Sequence, residues 1–267
     1  MNPAFRTIEI SDPRFEHEGL RQITVKSAAL KGRADVTLWS PEGAASSEAV
    51  VILLHGVYGS HWAWALKGGA HRTAARLIAS GEIPGMTLVM PSDGLWGDGS
   101  GYVSHRTQDF EQWIAAELPV LVTSVLPAVP EERPFFIAGL SMGGFGALRI
   151  GAKYWHRFRA ISGHSSITHF DQLSMFVEEP LADYHAPLED RSVLETILAN
   201  SDHLPSVRFD CGTDDPLLAH NRELHSRLVA YGIPHVYEEF SGGHEWPYWE
   251  EHLADTLRFF ALHLKGE

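Results

Sequence analysis

The stretch from Phe135 to Arg149, Phe-Phe-Ile-Ala-Gly-Leu-Ser-Met-Gly-Gly-Phe-Gly-Ala-Leu-Arg, limits what this chain can fold into more than any other. Four apolar residues (135–138) stop at Gly139, present Ser141, pass Gly143 and Gly144, and resume at helical spacing through Ala147, Leu148 and Ile150. The pattern reads as a strand, a sharp turn and a helix. Small residues two before and two after the serine let strand and helix approach closely. In that setting the hydroxyl stands at the corner, and the unpaired N–H groups of the helix start point toward any developing negative charge. A glycine-rich turn without chemistry has the same letters. The serine gains meaning only if a base, an acid and an oxyanion site occur elsewhere in a suitable order.

Before this corner the chain supplies short strands. Residues 5–10 and 20–30 read as strands, the second alternating at Ile23, Val25 and Ser27, and 34–39 reads as a third after Lys31-Gly32. Tight links between them imply an antiparallel edge. Val50 to Leu54 is a continuous apolar run ending in His55-Gly56, which suits a strand covered on both faces of a parallel sheet. Ala65, Ala70, Ala74, Leu77 and Ile78 predict a helix stopped by Gly81, and 86–90 predicts the next buried strand. Residues 92–105 hold Gly97, Gly99 and Gly101 and read as loop. Residues 109–126 place Phe110, Trp113, Ile114, Leu118, Leu121 and Val122 on one helical stripe.

After the corner come a strand at 160–162, an inserted helical cap at about 164–204, and a strand at 206–211. A helix at 217–231, a strand at 235–240 and a last helix at 246–264 complete the chain. Such alternation predicts an α/β fold in one domain over residues 1–267: a mostly parallel central sheet, antiparallel at its N-terminal edge, with helices on both faces. Ligands of such sheets bind beyond the carboxyl ends of the strands.

Each remaining candidate leaves that edge. A serine on a strand-to-helix elbow takes its acid and then its histidine later in the chain. The strand 207–211 runs into Gly212-Thr-Asp214-Asp215-Pro216, and the strand 236–240 runs into Ser241-Gly-Gly-His244. The imidazole would take the serine proton and later give it to the leaving group. A carboxylate would hold the productive tautomer and stabilise the imidazolium. His244 is one of 16 histidines, distinguished by its two glycines and the strand before them. Asp214 and Asp215 are equally placed, since one of such a pair usually caps the helix that follows. For the oxyanion, the backbone N–H of Met142 and that of Val57, after His55-Gly56, are the expected donors, each typically worth about 3 kcal/mol of barrier. His55, Tyr58, Trp62 and Trp96 are candidate pocket residues, while Trp64 and Trp246 are expected to pack.

Other signals fail. His244-Glu-Trp-Pro-Tyr248 has tyrosine where a zinc protease needs its second histidine. The glycines at 97, 99 and 101 lack the last member of a dinucleotide fingerprint. Asp93 and Asp98 do not match an EF-hand spacing, and no metal or other cofactor is expected. A net charge of −13 repels phosphate backbones and anionic membrane surfaces, which disfavours nucleic acid and membrane as partners. The single cysteine, Cys211, fits a reducing compartment, and no basic-then-apolar leader pattern opens the chain. The cytoplasm is the expected location. Assembly into a homo-oligomer is left open.

Gly139-Leu-Ser-Met-Gly-Gly-Phe-Gly-Ala-Leu148, Asp210-Cys-Gly-Thr-Asp-Asp215 and Gly242-Gly-His-Glu-Trp246 together resemble the Putative esterase family of α/β-hydrolases. That family includes tributyrin-type carboxylesterases, feruloyl and acetylxylan esterases, S-formylglutathione hydrolases and mycolyltransferases. The resemblance extends over about residues 20–262, through Leu53-Leu-His-Gly56 and Glu117-Leu-Pro119. It implies an α/β-hydrolase fold, Asp215 as the acid, Val57 and Met142 as oxyanion donors, and no cofactor. Formylglutathione hydrolases carry a cysteine after the oxyanion strand and a histidine before the elbow serine. Here Val57-Tyr-Gly-Ser60 and Leu140 stand in those places, which speaks against that activity. The resemblance therefore implies a serine esterase acting on small-molecule esters with short acyl groups. Acyl transfer to an alcohol or sugar, and a hydrolase-like binding module without turnover, are the rival readings.

Overall fold

Two burial patterns divide the strands of the computed structural model, which describes residues 4–41, 47–126 and 133–264. After β1 (Phe5–Ile10), strand β2 (Leu20–Ser27) interleaves buried Leu20, Ile23, Val25 and Ser27 with less buried residues, the signature of a half-covered edge. β3 (Arg33–Trp39) continues that edge, whereas β4 (Ala49–Leu54) is buried at every residue. In β4, Val50, Ile52 and Leu54 enter one hydrophobic core, and Ala49, Val51 and Leu53 enter the other. A pleat with period two between two helical layers requires that division.

The helix expected over 65–78 is two helices, α1 (Ala63–Leu66) and α2 (Ala70–Ala79), because Gly69 between them has φ of 56°. β5 (Met86–Pro91) is again wholly buried. The stripe at 109–126 also departs from one regular helix. It runs as α3 (Phe110–Gln112), a π turn (Trp113–Glu117) and α4 (Leu118–Val125). Pro119 has no N–H to return to the preceding turn, and the Leu118 N–H reaches back to the Trp113 carbonyl instead. β6 (Phe135–Leu140), α5 (Met142–Lys153) and β7 (Phe158–His164) follow.

The cap begins after β7. It consists of short 3-10 helices at Phe170–Met175, Leu181–Tyr184 and Leu188–Asp190, then α6 (Val193–Ala199) and a last turn at Ser201–His203. Pro180 and Pro187 stand immediately before two of these turns and keep them from merging. β8 (Ser206–Gly212), α7 (Leu218–Ala230), β9 (Val236–Phe240) and α8 (Trp246–Leu262) close the chain.

The nine strands of the described residues lie in one sheet of order β1-β2-β3-β5-β4-β6-β7-β8-β9. The pairs β1–β2, β2–β3 and β3–β5 are antiparallel, and every pair from β5 to β9 is parallel. α2 and α8 cover one face; α4, α5 and α7 cover the other. The order reverses at β4: β5 pairs on one side of it and β6 on the other. The loops after β4 and β6 therefore diverge and leave a crevice between them, the usual ligand position in such sheets.

Behind this crevice a buried ionic cluster ties the cap to the sheet. Arg149 on α5, fully buried, binds Glu111 of α3, Asp190 of the cap (3.0 Å) and the Tyr102 carbonyl (2.5 Å). Lys153 adds contacts of 2.8 Å to Glu111 and 2.7 Å to Asp190. Two cations thus balance two carboxylates. Removing one partner leaves a buried charge uncompensated, which typically costs about 3–5 kcal/mol. Arg149→Ala is expected to lower unfolding free energy by about that amount in urea denaturation; a loss under about 1 kcal/mol would show that the cluster does not anchor the cap.

Candidate active site

The corner between β6 and α5 is too tight for side chains on either flank of the serine. A Cβ on Gly139 would run into the Gly143 carbonyl, and one on Gly143 into the Leu54 carbonyl. The chain turns by placing Ser141 itself at φ 54°, ψ −118°, a region that costs a non-glycine residue on the order of 1–3 kcal/mol. Ser141 is held there by its N–H to the His164 carbonyl (2.9 Å) and by its own carbonyl, which accepts the Phe145 N–H (3.1 Å).

The loops after β8 and β9 meet this corner. The Ser141 hydroxyl lies 3.0 Å from His244 Nε2, and His244 Nδ1 donates to Asp215 Oδ2 at 2.9 Å. Asp215 is buried and Asp214 exposed, which separates two residues the sequence leaves equal. Asp215 Oδ1 also accepts the Leu217 N–H at 2.8 Å, so the same side chain both orients the imidazole and braces the chain before α7. Burial pushes the Asp215 carboxyl up. The bond and charge of His244, the Leu217 N–H and the Ser165 hydroxyl outweigh that and hold it below its ordinary value.

The loop after β4 supplies the other side. A Cβ built on Gly56 would lie 3.3 Å from Ser141 Cβ, so the Gly56–Val57 backbone abuts the serine. Among the described residues, neither the Val57 nor the Met142 N–H has a hydrogen-bond partner. Met142 opens α5, and the Gly101 N–H braces its sulfur at 3.4 Å. Two free donors beside a hydroxyl that is itself bonded to an imidazole form an arrangement suited to acyl transfer.

The four proposed pocket residues separate. His55 is 2% exposed; its Nδ1 donates to the Gly56 carbonyl, and its Nε2 accepts the Asp93 N–H at 3.0 Å. Both ring nitrogens are committed to backbone, so His55 builds the loop and offers no polar contact to a ligand. Trp96 packs edge-on against His105 and Tyr184, joining the 92–105 loop to the cap instead of lining an open wall. Trp62 and Tyr58 are exposed. Trp64 is buried and donates to the Leu54 carbonyl, and Trp246 stands edge-on between Trp64 and Trp249.

The acids at 93 and 98 structure their loop. Asp93 accepts the Leu95 and Ser100 N–H groups, and Asp98 accepts the Glu178 N–H. No group of three or more His, Cys, Asp or Glu is placed to hold a metal among the described residues. Cys211 offers no alternative nucleophile, since burial pushes its thiol far up and keeps it protonated.

Several supports escaped the sequence reading. Ser165, buried at φ 45°, bonds Asp215 and accepts the Trp249 indole N–H at 3.2 Å. The Phe176 ring stacks on His244 at 5.2 Å. Beneath the site, Asp210 takes the Tyr248 hydroxyl (2.8 Å), Arg208 (2.5 Å) and His164 (2.9 Å). His164 ends β7 and Asp210 lies two residues before the end of β8, where polar residues near a strand's end are a usable signal. Phe176 lies in the cap and carries no local motif.

Sheet order and the strand–elbow–helix corner define an α/β-hydrolase fold. A model of the family described as Putative esterase matches residues 27–260, and the chain belongs to that family. Over 228 residues it is 28% identical to an acetyl esterase of Caldicellulosiruptor saccharolyticus, covering 78% of this chain and 82% of that protein. Esterase Rv1288 of Mycobacterium tuberculosis is 30% identical over 187 residues, which span 59% of this chain but 41% of that longer protein. Among solved structures, a ferulic acid esterase superposes with a TM-score of 0.78 at 24% identity, covering 96% of this chain and 99% of that one. The S-formylglutathione hydrolase of Staphylococcus aureus superposes with 0.77 at 15% identity, covering 95% and 99%. These last two likenesses establish the fold. No described helix is long and apolar enough to cross a membrane.

The buried acids carry a pH signature. Burial would raise the Asp210 carboxyl, but the charge and contact of His164, with Arg208 and the Tyr248 hydroxyl, hold it at about 2, below its ordinary 3.8. A carboxyl depressed on folding contributes stability above its unfolded value and loses it as pH falls through the folded one. Stability is therefore expected to decline from pH 3.8 toward about 2. Asp210→Asn should flatten that acid-side slope and lower stability at neutral pH, as read by denaturant titration at each pH.

Proposed function

We propose that this chain hydrolyses carboxylic esters with short acyl groups, through a covalent acyl-enzyme on Ser141. The observation that carries the reading is the unbroken row Asp215–His244–Ser141, at 2.9 and 3.0 Å, facing two uncommitted backbone donors. His244 Nε2 accepts the Ser141 proton as Oγ attacks the ester carbonyl carbon. The carbonyl electron pair moves onto oxygen, where the Val57 and Met142 N–H groups stabilise it. Collapse breaks the bond to the alcohol oxygen, which takes the proton from Nε2 and leaves. Water then attacks the acyl carbon, gives its proton to Nε2, and displaces Oγ, which recovers that proton. Asp215 keeps Nδ1 protonated throughout, so Nε2 is the nitrogen that cycles.

The acetyl esterase relative, matched over most of both chains, supports a small acyl group. Leu140 and the 57–60 loop lack the histidine and cysteine of formylglutathione hydrolases, which speaks against that activity despite the shared fold. A single buried thiol fits the reducing cytoplasm, the compartment we assign.

Ser141→Ala is expected to lower p-nitrophenyl acetate turnover by about 10⁶-fold with an unchanged thermal melt, and Asp215→Asn by about 10⁴-fold. A fluorophosphonate should label Ser141 in the wild type. Turnover retained by the alanine variant would remove Ser141 as nucleophile.

A further inference from the structure

The cap is fastened to the two loops that border the catalytic corner, and the fastening sets one aromatic ring over the imidazole. Tyr58, directly after Val57, stands at φ 59° with its N–H on the Asp98 carbonyl at 2.8 Å. Its hydroxyl crosses to the cap and donates to the Phe176 carbonyl at 2.5 Å. Two residues further, the Glu178 N–H donates to Asp98 Oδ2 at 2.8 Å. In return the Asp98 N–H is shared by the Glu179 carboxylate oxygens at 3.1 and 3.2 Å. Segment 176–179 is thus pinned at both ends, to residue 58 and to residue 98. An exposed tyrosine with one committed hydroxyl acts here as a strut.

The pinned segment puts the Phe176 ring nearly parallel to the His244 ring, at 18° and 5.2 Å between centroids. Trp249 meets the imidazole edge-on at 5.1 Å. The alcohol oxygen of an ester must come within hydrogen-bond reach of His244 Nε2 to be protonated as it leaves. Substituents on that oxygen therefore pass beside whatever covers the imidazole face. The acyl group extends from a carbonyl whose oxygen would point at Val57 and Met142, and no step of the chemistry requires it to reach the imidazole. We propose that Phe176 is a specificity-determining residue for the alcohol half of the substrate. Held by the Tyr58 and Asp98 latch, it admits esters of small or flat alcohols and excludes bulky saturated ones. This rests on the proposed triad chemistry and adds the substrate class that chemistry leaves open.

The test compares ethyl acetate with cyclohexyl acetate, which differ only in the alcohol, and p-nitrophenyl acetate with p-nitrophenyl butyrate, which differ only in the acyl chain. Phe176→Ala is expected to raise the cyclohexyl-to-ethyl ratio of kcat/KM by about ten-fold or more while moving the butyrate-to-acetate ratio under about three-fold. Phe176→Leu, which keeps most of the volume, should stay near the wild-type ratios. Tyr58→Phe, which deletes only the strut hydroxyl, should shift the alcohol ratio in the same direction by about two- to three-fold. It carries the test if the alanine variant does not fold. An unmoved alcohol ratio in the folded variants, or an acyl ratio moving as much as the alcohol ratio, would overturn the assignment. Ser141→Ala separates the two levels. If it abolishes turnover while Phe176→Ala leaves the alcohol ratio unmoved, the specificity role alone falls; if it retains turnover, the triad reading falls.

Discussion

The close approach of β6 and α5 at the serine corner is the constraint on which the other parts of the site depend. Backbone from Gly143, Leu54 and His55 occupies the space that side chains at Gly139 and Gly143 would need, and the strain of the turn falls on Ser141. Such strain persists only where surrounding structure over-determines it. Here the over-determination comes from buried parallel strands on both sides of β6, and from the Ser141 N–H bonded to the end of β7. The corner in turn aims the first N–H of α5 and the serine hydroxyl toward one point beyond the sheet edge.

Two buried charge networks keep the loops around that point in register. Arg149 and Lys153, on the helix that begins at the corner, hold Glu111 and Asp190, so the elbow helix and the cap share one anchor. On the other side Asp210, Arg208, His164, Tyr248 and Thr256 tie β7, β8 and α8 together just below the residues that carry Asp215 and His244. Each network places ions where they are costly if unpaired, so removing any one partner is destabilising. The site between them needs little further support: Asp215 is fixed by three donors, and His244 lies between an aromatic face and an aromatic edge.

Much of the fold was legible because its signals are local. Full burial of β4 and β5 follows from unbroken apolar runs, and the alternation at Ile23, Val25 and Ser27 marks a half-covered strand. Departures occur where local pattern and backbone chemistry conflict. Gly69 divides a helix that periodicity joins, and Pro119 forces a π turn into one that periodicity makes regular. His55 shows the same limit at the site. Its place at a strand end suggested the pocket, yet its ring is consumed by the Gly56 carbonyl and the Asp93 N–H, a partner 38 residues away.

The amino-acid order by itself determined the corner, the His55-Gly56 strand exit and the succession of serine, aspartate and histidine, since each is written in a few adjacent residues whose sterics set the turn. Tertiary structure decided which aspartate meets the imidazole, which loop amides stay free, and what covers the ring. Those outcomes join residues 29, 103 and 118 positions apart, as in the Asp215–His244, Ser141–His244 and Tyr58–Phe176 contacts. No local propensity encodes such pairs. They form only when the sheet brings the loops to a common edge, and burial then selects the polar groups that can satisfy one another.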